Sequence, residues 1–515
     1  MPVYSKRAYF MVVALIFLAA SLLPYIFAAG AAGDELVFGG FLFNPIDGNT
    51  YLAKMQQGYS GTWLFTLPYT AEKGAGWLLF IYYLFLGHLA RWSGLSLLVI
   101  YHLARLAGCI VLLAGLFRYI QRSLGSGAPA RLAFLLAALG SGMGWLALPS
   151  GAYTADFWVA EAYPFLSGFA TPHFSLGLGL LLFLIAPLAE PAPALPAKQS
   201  AWKALRTFLL AFCLAIISPF GVVIAGVALA WPAWKAFFPF RRDSLAALLG
   251  ERLPWVLLGG LPWLIYDQAA AWRDPLLAGW DAQNLTPTPA VWDLLVAFSP
   301  LIFLAIPGAV QALRRGPEPL RQAAAWLLLG ILLLYAPLGL QRRFMIGLYV
   351  PVVVLGTAFL AARIPDSRRL WLAGSVILAL VLPTNLIIHL STWQVVAAGD
   401  PNLYYTRGEA QAFTWIASQT EPESLILAAP DTGLLLPAHT GRRVIYGHPF
   451  ETVNAEVEKA LVEAYFATPD PAVLAERGVD YVFYGPRERR LGSTAPQGLP
   501  VVYESGGVTL YAAAP

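Results

Sequence analysis

Apolar stretches, nearly empty of charge, recur along the chain from residue 8 to residue 390 and dictate the solvent in which it folds. Inside hydrocarbon, each backbone N–H and C=O must be satisfied within its own segment, so runs of this composition must be helices. A chain of 515 residues that is 58% hydrophobic and 12% charged, with mean hydropathy +0.63, carries more apolar surface than one soluble core can bury. The reading is a mainly α, polytopic α-helical membrane protein. Cys109 and Cys213 both fall in apolar runs, which argues against a disulfide framework.

The runs predict about eleven spans, near 8–29, 94–116, 132–148, 174–189, 205–217, 220–238, 253–270, 291–313, 323–340, 344–362 and 370–390. Gly76 to Ala90 is apolar and aromatic but is shorter than the roughly twenty residues a crossing needs, so it is expected to be a helix lying in the interface. With that choice Arg118, Arg122, Arg314, Arg315, Arg363, Arg368 and Arg369 all flank cytoplasmic ends, as the positive-inside rule requires. Counting Gly76–Ala90 as a crossing would turn every later basic loop outward. The expected topology is a multi-pass plasma-membrane protein with a cytoplasmic N-terminus and an extracytoplasmic C-terminus.

Near Gly399 the apolar runs give way to a segment with 8 basic and 14 acidic residues. The chain is therefore expected to divide into a membrane domain, 1–398, and a soluble extracytoplasmic α/β domain, 399–515. Within the latter, periodicity predicts helices at 407–419, 452–466 and 471–477, strands at 425–429, 443–447 and 479–484, and a hairpin over 500–512. His439, Arg442, Arg443, His448, Glu451 and Asn454 lie close together there and read as solvated turns and caps, with a ligand-binding role as the alternative.

Polar chemistry collects on the outer face. The segment from Asn44 to Gly58 follows the first span and carries an acid, Asp47, and an aromatic four residues on, Tyr51. A carboxylate at a membrane surface can serve as a general base, and Asp47 is the candidate catalytic residue. Arg342 and Arg343 are an adjacent positive pair placed outside, against the charge bias. Planar guanidinium forks there suit a lipid phosphate, which makes them candidate substrate-binding residues. Asp156, Glu161, Asp274 and Asp281 are candidates for a polar substrate or a divalent ion, His173 faces the mouth of a span, and Trp63, Tyr69 and Trp280 could stack on a substrate face. The Gly140–Gly144 spacing is expected to serve close helix packing. The spans hold few ionisable groups apart from Arg105, and no internal repeat is evident, which argues against a transporter.

The stretch Asp47-x-x-x-Tyr51 through Gly58 and Trp63, with Gly76–Ala90 and Gly94-Leu95-Ser96 to Leu106, resembles the first outer loop and second span of the GT-C glycosyltransferases. That resemblance implies a membrane glycosyltransferase that moves a sugar from a polyprenyl-phosphate donor to an acceptor hydroxyl on the extracytoplasmic face. It implies an acid of the first outer loop in the catalytic role, here Asp47. The partners it implies are that donor, membrane lipid and a glycan, lipid or protein acceptor, and no nucleic acid. Family members often carry two adjacent acids at the motif, and Gly48 in the second position leaves a divalent cation, Mg or Mn, as an open alternative. A non-catalytic envelope scaffold and a lipid-linked glycan transporter are the other classes the sequence admits.

Overall fold

The computed structural model describes residues 3–187, 197–238, 244–337 and 339–513. Among these, five helices are long and apolar enough to cross a membrane: Ala8–Ala31, Leu97–Leu124, Pro219–Phe237, Gln341–Arg363 and Ser367–Ala397. Two further spans are possible by the same measure if each bent helix pair counts as one crossing. The protein is a mainly helical, multi-pass membrane protein with a small sheet region.

Both bends fall where the sequence predicts straight spans. The helix Ala128–Leu139 ends before Gly140, and the chain resumes as short 3-10 turns over Gly144–Ser150, bent by 50°. Gly140–Gly144 is thus a break and not a helix-packing face. The glycines are needed there because a Cβ at Gly142 would collide with the Ala297 carbonyl, and one at Gly144 with the Thr154 and Asp156 side chains. The expected 291–313 span divides into Val291–Ala297 and Leu301–Arg315, bent by 95°. The run at 174–189 is the helix Pro172–Ile185, and its last two positions lie outside the described residues.

The chain forms two compact units that interleave in sequence. One comprises Met1–Pro24, Ala104–Tyr266 and Thr286–Thr392. Its main packing partners are Leu301–Arg315 with Tyr349–Arg363, and Pro219–Phe237 with Glu318–Leu334. Arg105 is fully buried within it, and its Nη1 donates to the carbonyls of Ser21 (2.9 Å) and Gly168 (3.0 Å). A guanidinium spent on helix carbonyls is a structural use of charge inside a span.

The other unit comprises Tyr25–Leu103, Asp267–Leu285 and Trp393–Pro515. At its centre is a five-stranded sheet in the order Arg443–Val444, Leu425–Leu427, Tyr481–Tyr484, Val508–Ala512 and Val501–Ser505. The first three strands run parallel and the last two join antiparallel as a hairpin. Leu425, Leu427, Val462, Phe466 and Val482 fill the core on one face. Helices Arg407–Gln419, Ala455–Ala467 and Pro471–Arg477 form where periodicity predicts them, the first behind a Thr406/Glu409 capping box.

Two parts of this unit have no sequence forecast. Pro430–Thr440 is a helix despite an internal Pro437. Leu36–Phe38 pairs antiparallel with Tyr404–Thr406, so the C-terminal end of the first helix is tied to the start of the tail. The segment expected as an interfacial helix from Gly76 starts later, at Ile81, after Phe80 in the left-handed region (φ 51°). At 13 residues, Ile81–Ser93 extends about 20 Å, well under a hydrocarbon thickness. It packs on Pro45–Ser60, which in turn packs on Pro430–Thr440.

Candidate functional site

Asp47 sits in the first turn of the helix Pro45–Ser60, where the exposed N–H groups of the helix start favour a carboxylate. Pro45 presets the first helical residue, and Asn44 caps the turn from the left-handed region (φ 46°). The Asn44 side chain holds Asp47 twice. Its Oδ1 accepts from the Asp47 N–H (3.3 Å), and its Nδ2 donates to Asp47 Oδ2 (2.7 Å). The carboxylate is 40% exposed, so it remains accessible to a reactant.

The other oxygen, Oδ1, lies 3.4 Å from Nε2 of His448, which is only 2% exposed. Nδ1 of the same ring accepts from the backbone N–H groups of Phe450 (3.0 Å) and Glu451 (3.0 Å). An accepting Nδ1 carries no proton, so in the neutral ring the proton is on Nε2, facing Asp47. Three residues after this histidine, Glu451 reaches Lys54 of the Asp47 helix at 2.6 Å, with Lys54 1% exposed. The Lys54 ammonium also lies 4.5 Å from the centre of the Phe80 ring. Tyr51 stacks on Tyr83 at 4.6 Å, its ring half-buried beside Lys54.

The region 439–454 is therefore more than solvated turns. His448 is buried against the candidate base, and Arg442 donates to Thr420 Oγ1 and to the carbonyls of Ala417, Thr420 and Thr440. The sequence places His448 in a polar cluster but not beside Asp47, which lies about four hundred residues earlier in the chain.

Gly48 is fixed by packing, since a Cβ there would drive into the Phe41 ring. A second acid cannot be accommodated beside Asp47 without moving that ring. Among the described residues, no group of three or more His, Cys, Asp or Glu side chains converges to hold a metal. With the His448 proton directed at Asp47, this pair does not offer two metal ligands as it stands. The residues around Asp47 do not fit a divalent-cation site.

The remaining candidates belong to the other compact unit or lie elsewhere in this one. Arg342 and Arg343 lie in a short 3-10 turn, Gln341–Met345. The Arg342 guanidinium lies 4.8 Å from the centre of the Trp158 ring. Arg343 Nη1 is 3.9 Å from Glu161 Oε1, a carboxylate only 6% exposed. Asp156 is wholly committed to the fold: it accepts from Thr154 (2.6 Å), the Gly144 N–H (3.0 Å) and Thr384 (3.0 Å). Burial raises the Asp156 carboxyl above its usual range, and those hydrogen bonds pull it back. His173 contacts Thr171 Oγ1 at 3.1 Å in the first turn of its helix.

Asp281 is exposed near the end of Pro275–Gln283, whereas Asp274 caps the start of that helix and accepts from Trp77 Nε1 at 2.8 Å. Of the aromatics considered for stacking, Tyr69 is fully buried with its hydroxyl donating to the Leu434 carbonyl (3.2 Å). Trp63 stacks on His88 at 4.1 Å.

No protein-family model matches the sequence, and no curated protein matches it significantly. Solved structures do match the fold. An oligosaccharyltransferase from Archaeoglobus fulgidus superposes with a TM-score of 0.56 at 14% identity, covering 94% of this chain and 70% of its own. ArnT from Cupriavidus metallidurans gives 0.51 at 14%, covering 97% of each chain. The arabinofuranosyltransferase AftD from Mycobacteria gives 0.52 at 14%, covering 99% of this chain and 40% of its own. The fold is that of the GT-C glycosyltransferases. Among these neighbours, the archaeal enzyme has been solved with an inhibitory peptide and a dolichol-phosphate, and ArnT with undecaprenyl phosphate. At this identity the GT-C likeness concerns architecture, and residue roles must be argued from the geometry above.

Proposed function

We propose that this protein transfers a sugar from a polyprenyl-phosphate-linked donor to an acceptor hydroxyl on the extracytoplasmic face, with Asp47 as general base. The observation that carries this reading is the state of Asp47: an accessible carboxylate held through Oδ2 by Asn44, with His448 Nε2 3.4 Å from Oδ1, on a helix start. A base fixed in this way loses little orientational freedom when it meets a hydroxyl. It takes the hydroxyl proton as that oxygen attacks the anomeric carbon, and the polyprenyl phosphate departs with the electron pair of the breaking bond. The lipid phosphates bound by the archaeal enzyme and by ArnT support a donor of this class.

Arg342 and Arg343 are assigned to the donor phosphate, whose charge grows as the bond breaks. Glu161, close to Arg343, limits the cost of holding two guanidinium groups together before phosphate arrives. Tyr51, His173 and Asp281 are assigned to sugar or acceptor, and Asp156 to supporting the loop that carries Trp158. About eleven crossings, an outer C-terminus and a boundary near residue 398 complete the reading. No step is routed through a metal.

Reconstitution with a panel of polyprenyl-phosphate sugars tests it directly. Asp47→Asn is expected to lower the transfer rate by roughly 10²–10⁴-fold, the range general-base removal spans. Equal turnover by wild type and Asp47→Asn would remove Asp47 from the chemistry. Replacing both Arg342 and Arg343 by Gln is expected to weaken donor binding more than it lowers thermal stability.

A further inference from the structure

We propose that His448, from the C-terminal segment, is a positioning residue for Asp47: its Nε2–H holds the carboxylate while two backbone N–H groups lock the ring's tautomer. The inference rests on the reading of Asp47 as the base, and it adds a role for the C-terminal segment in the reaction. Each ring nitrogen has a separate task. Nδ1 accepts from Phe450 and Glu451, which fixes the ring plane and denies Nδ1 a proton. Nε2 is left with the hydrogen and faces Asp47 Oδ1 at 3.4 Å.

That separation is longer than the usual 2.9–3.0 Å of an N–H···O bond, and the buried Nε2 makes no hydrogen bond among the described residues. A hydrogen bond that tightens as the carboxylate engages a hydroxyl would fit it, since such contacts are often long before substrate binds. The ring cannot drift to a better partner. It is 2% exposed, with the Tyr69 and Phe450 rings each centred 6.1 Å away. The Lys54–Glu451 pair fixes the backbone that carries its two donors. Asn44 on Oδ2 and His448 on Oδ1 together select one rotamer of Asp47.

Two variants separate positioning from a merely structural role. In His448→Asn the amide oxygen replaces Nδ1 and can keep the turn, but nothing replaces the Nε2–H. In His448→Gln the amide nitrogen replaces Nε2 as a donor, but the turn loses its acceptor. Positioning requires His448→Asn to lose about tenfold or more in kcat with KM unchanged, and His448→Gln to recover part of that loss. A purely structural histidine gives the reverse order, with His448→Gln the worse variant and stability falling alongside kcat; that result overturns the proposal.

Nitrogen-15 NMR of histidine-labelled wild type and Asp47→Asn reads the same contact without activity. His448 should show an unprotonated Nδ1 and a protonated Nε2 whose shift moves in Asp47→Asn, the signal being assigned by its loss in His448→Asn. A proton on Nδ1, or an Nε2 shift indifferent to Asp47→Asn, overturns the proposal. An intact NMR contact with full activity in Asp47→Asn would instead sink the base reading alone.

Discussion

At the scale of single residues, the sequence made Asp47 visible and left its partner hidden. An acid followed four residues later by an aromatic, just after an apolar span, is a local pattern. His448 has no such signature, because histidines beside prolines and acids occur in ordinary turns. Gly48 shows the converse: its identity is plain in the sequence, but its reason, the Phe41 ring against its Cα, is tertiary. Asp156 was visible as an outer acid, although its three partners assign it to the fold. His439 yields a measurable prediction. Stacked on Phe413 at 5.5 Å and half-buried, its ring is held down to about 4 from the usual 6.5 by desolvation. Between those values the unfolded chain binds a proton that the folded chain refuses. The associated stability is therefore complete above pH 6.5 and is lost as pH falls towards 4, a difference of about 3 kcal/mol. His439→Phe should flatten that part of the curve of unfolding midpoint against pH, and an unchanged slope would count against the neutral ring.

Among the elements, those set by local rules were legible. Arg407–Gln419 announces itself by its capping box, and the Val501–Ala512 hairpin by its glycine turn. The breaks in the apolar runs were not, because a glycine-rich stretch reads equally well as a packing face or as a kink until its neighbours are known. Pro430–Thr440 was missed because an internal proline argues against a helix by propensity, and packing on Pro45–Ser60 overrides that argument. The contact between the Asp47 helix and the C-terminal segment includes the Lys54–Glu451 pair, with Lys54 buried. Removing one partner strands the other charge, so Lys54→Ala should cost about 3–5 kcal/mol. Lys54→Met combined with Glu451→Gln should recover most of that loss. Denaturant titration of the purified variants measures both, and a single variant no less stable than wild type would contradict the pairing.

For the whole molecule, composition announced a membrane protein and could not reveal how its two compact units draw on the chain. The change near Gly399 is real in charge, yet the unit containing the tail also takes in Tyr25–Leu103 and Asp267–Leu285. Residues 399–515 expressed alone lack the Leu36–Phe38 strand and the Lys54 partner of Glu451. They are expected to give a poorly dispersed amide spectrum; a well-dispersed one would establish the tail as an autonomous domain. The Lys54–Glu451 pair also has a consequence for biogenesis. Its residues are 397 positions apart. At synthesis rates of roughly 5–20 residues per second, the Asp47 helix emerges about 20–80 s before its counter-charge exists. Throughout that interval a lysine destined for burial has only water, lipid headgroups or a chaperone to meet, so the surroundings of Asp47 are among the last parts of the newborn chain to mature.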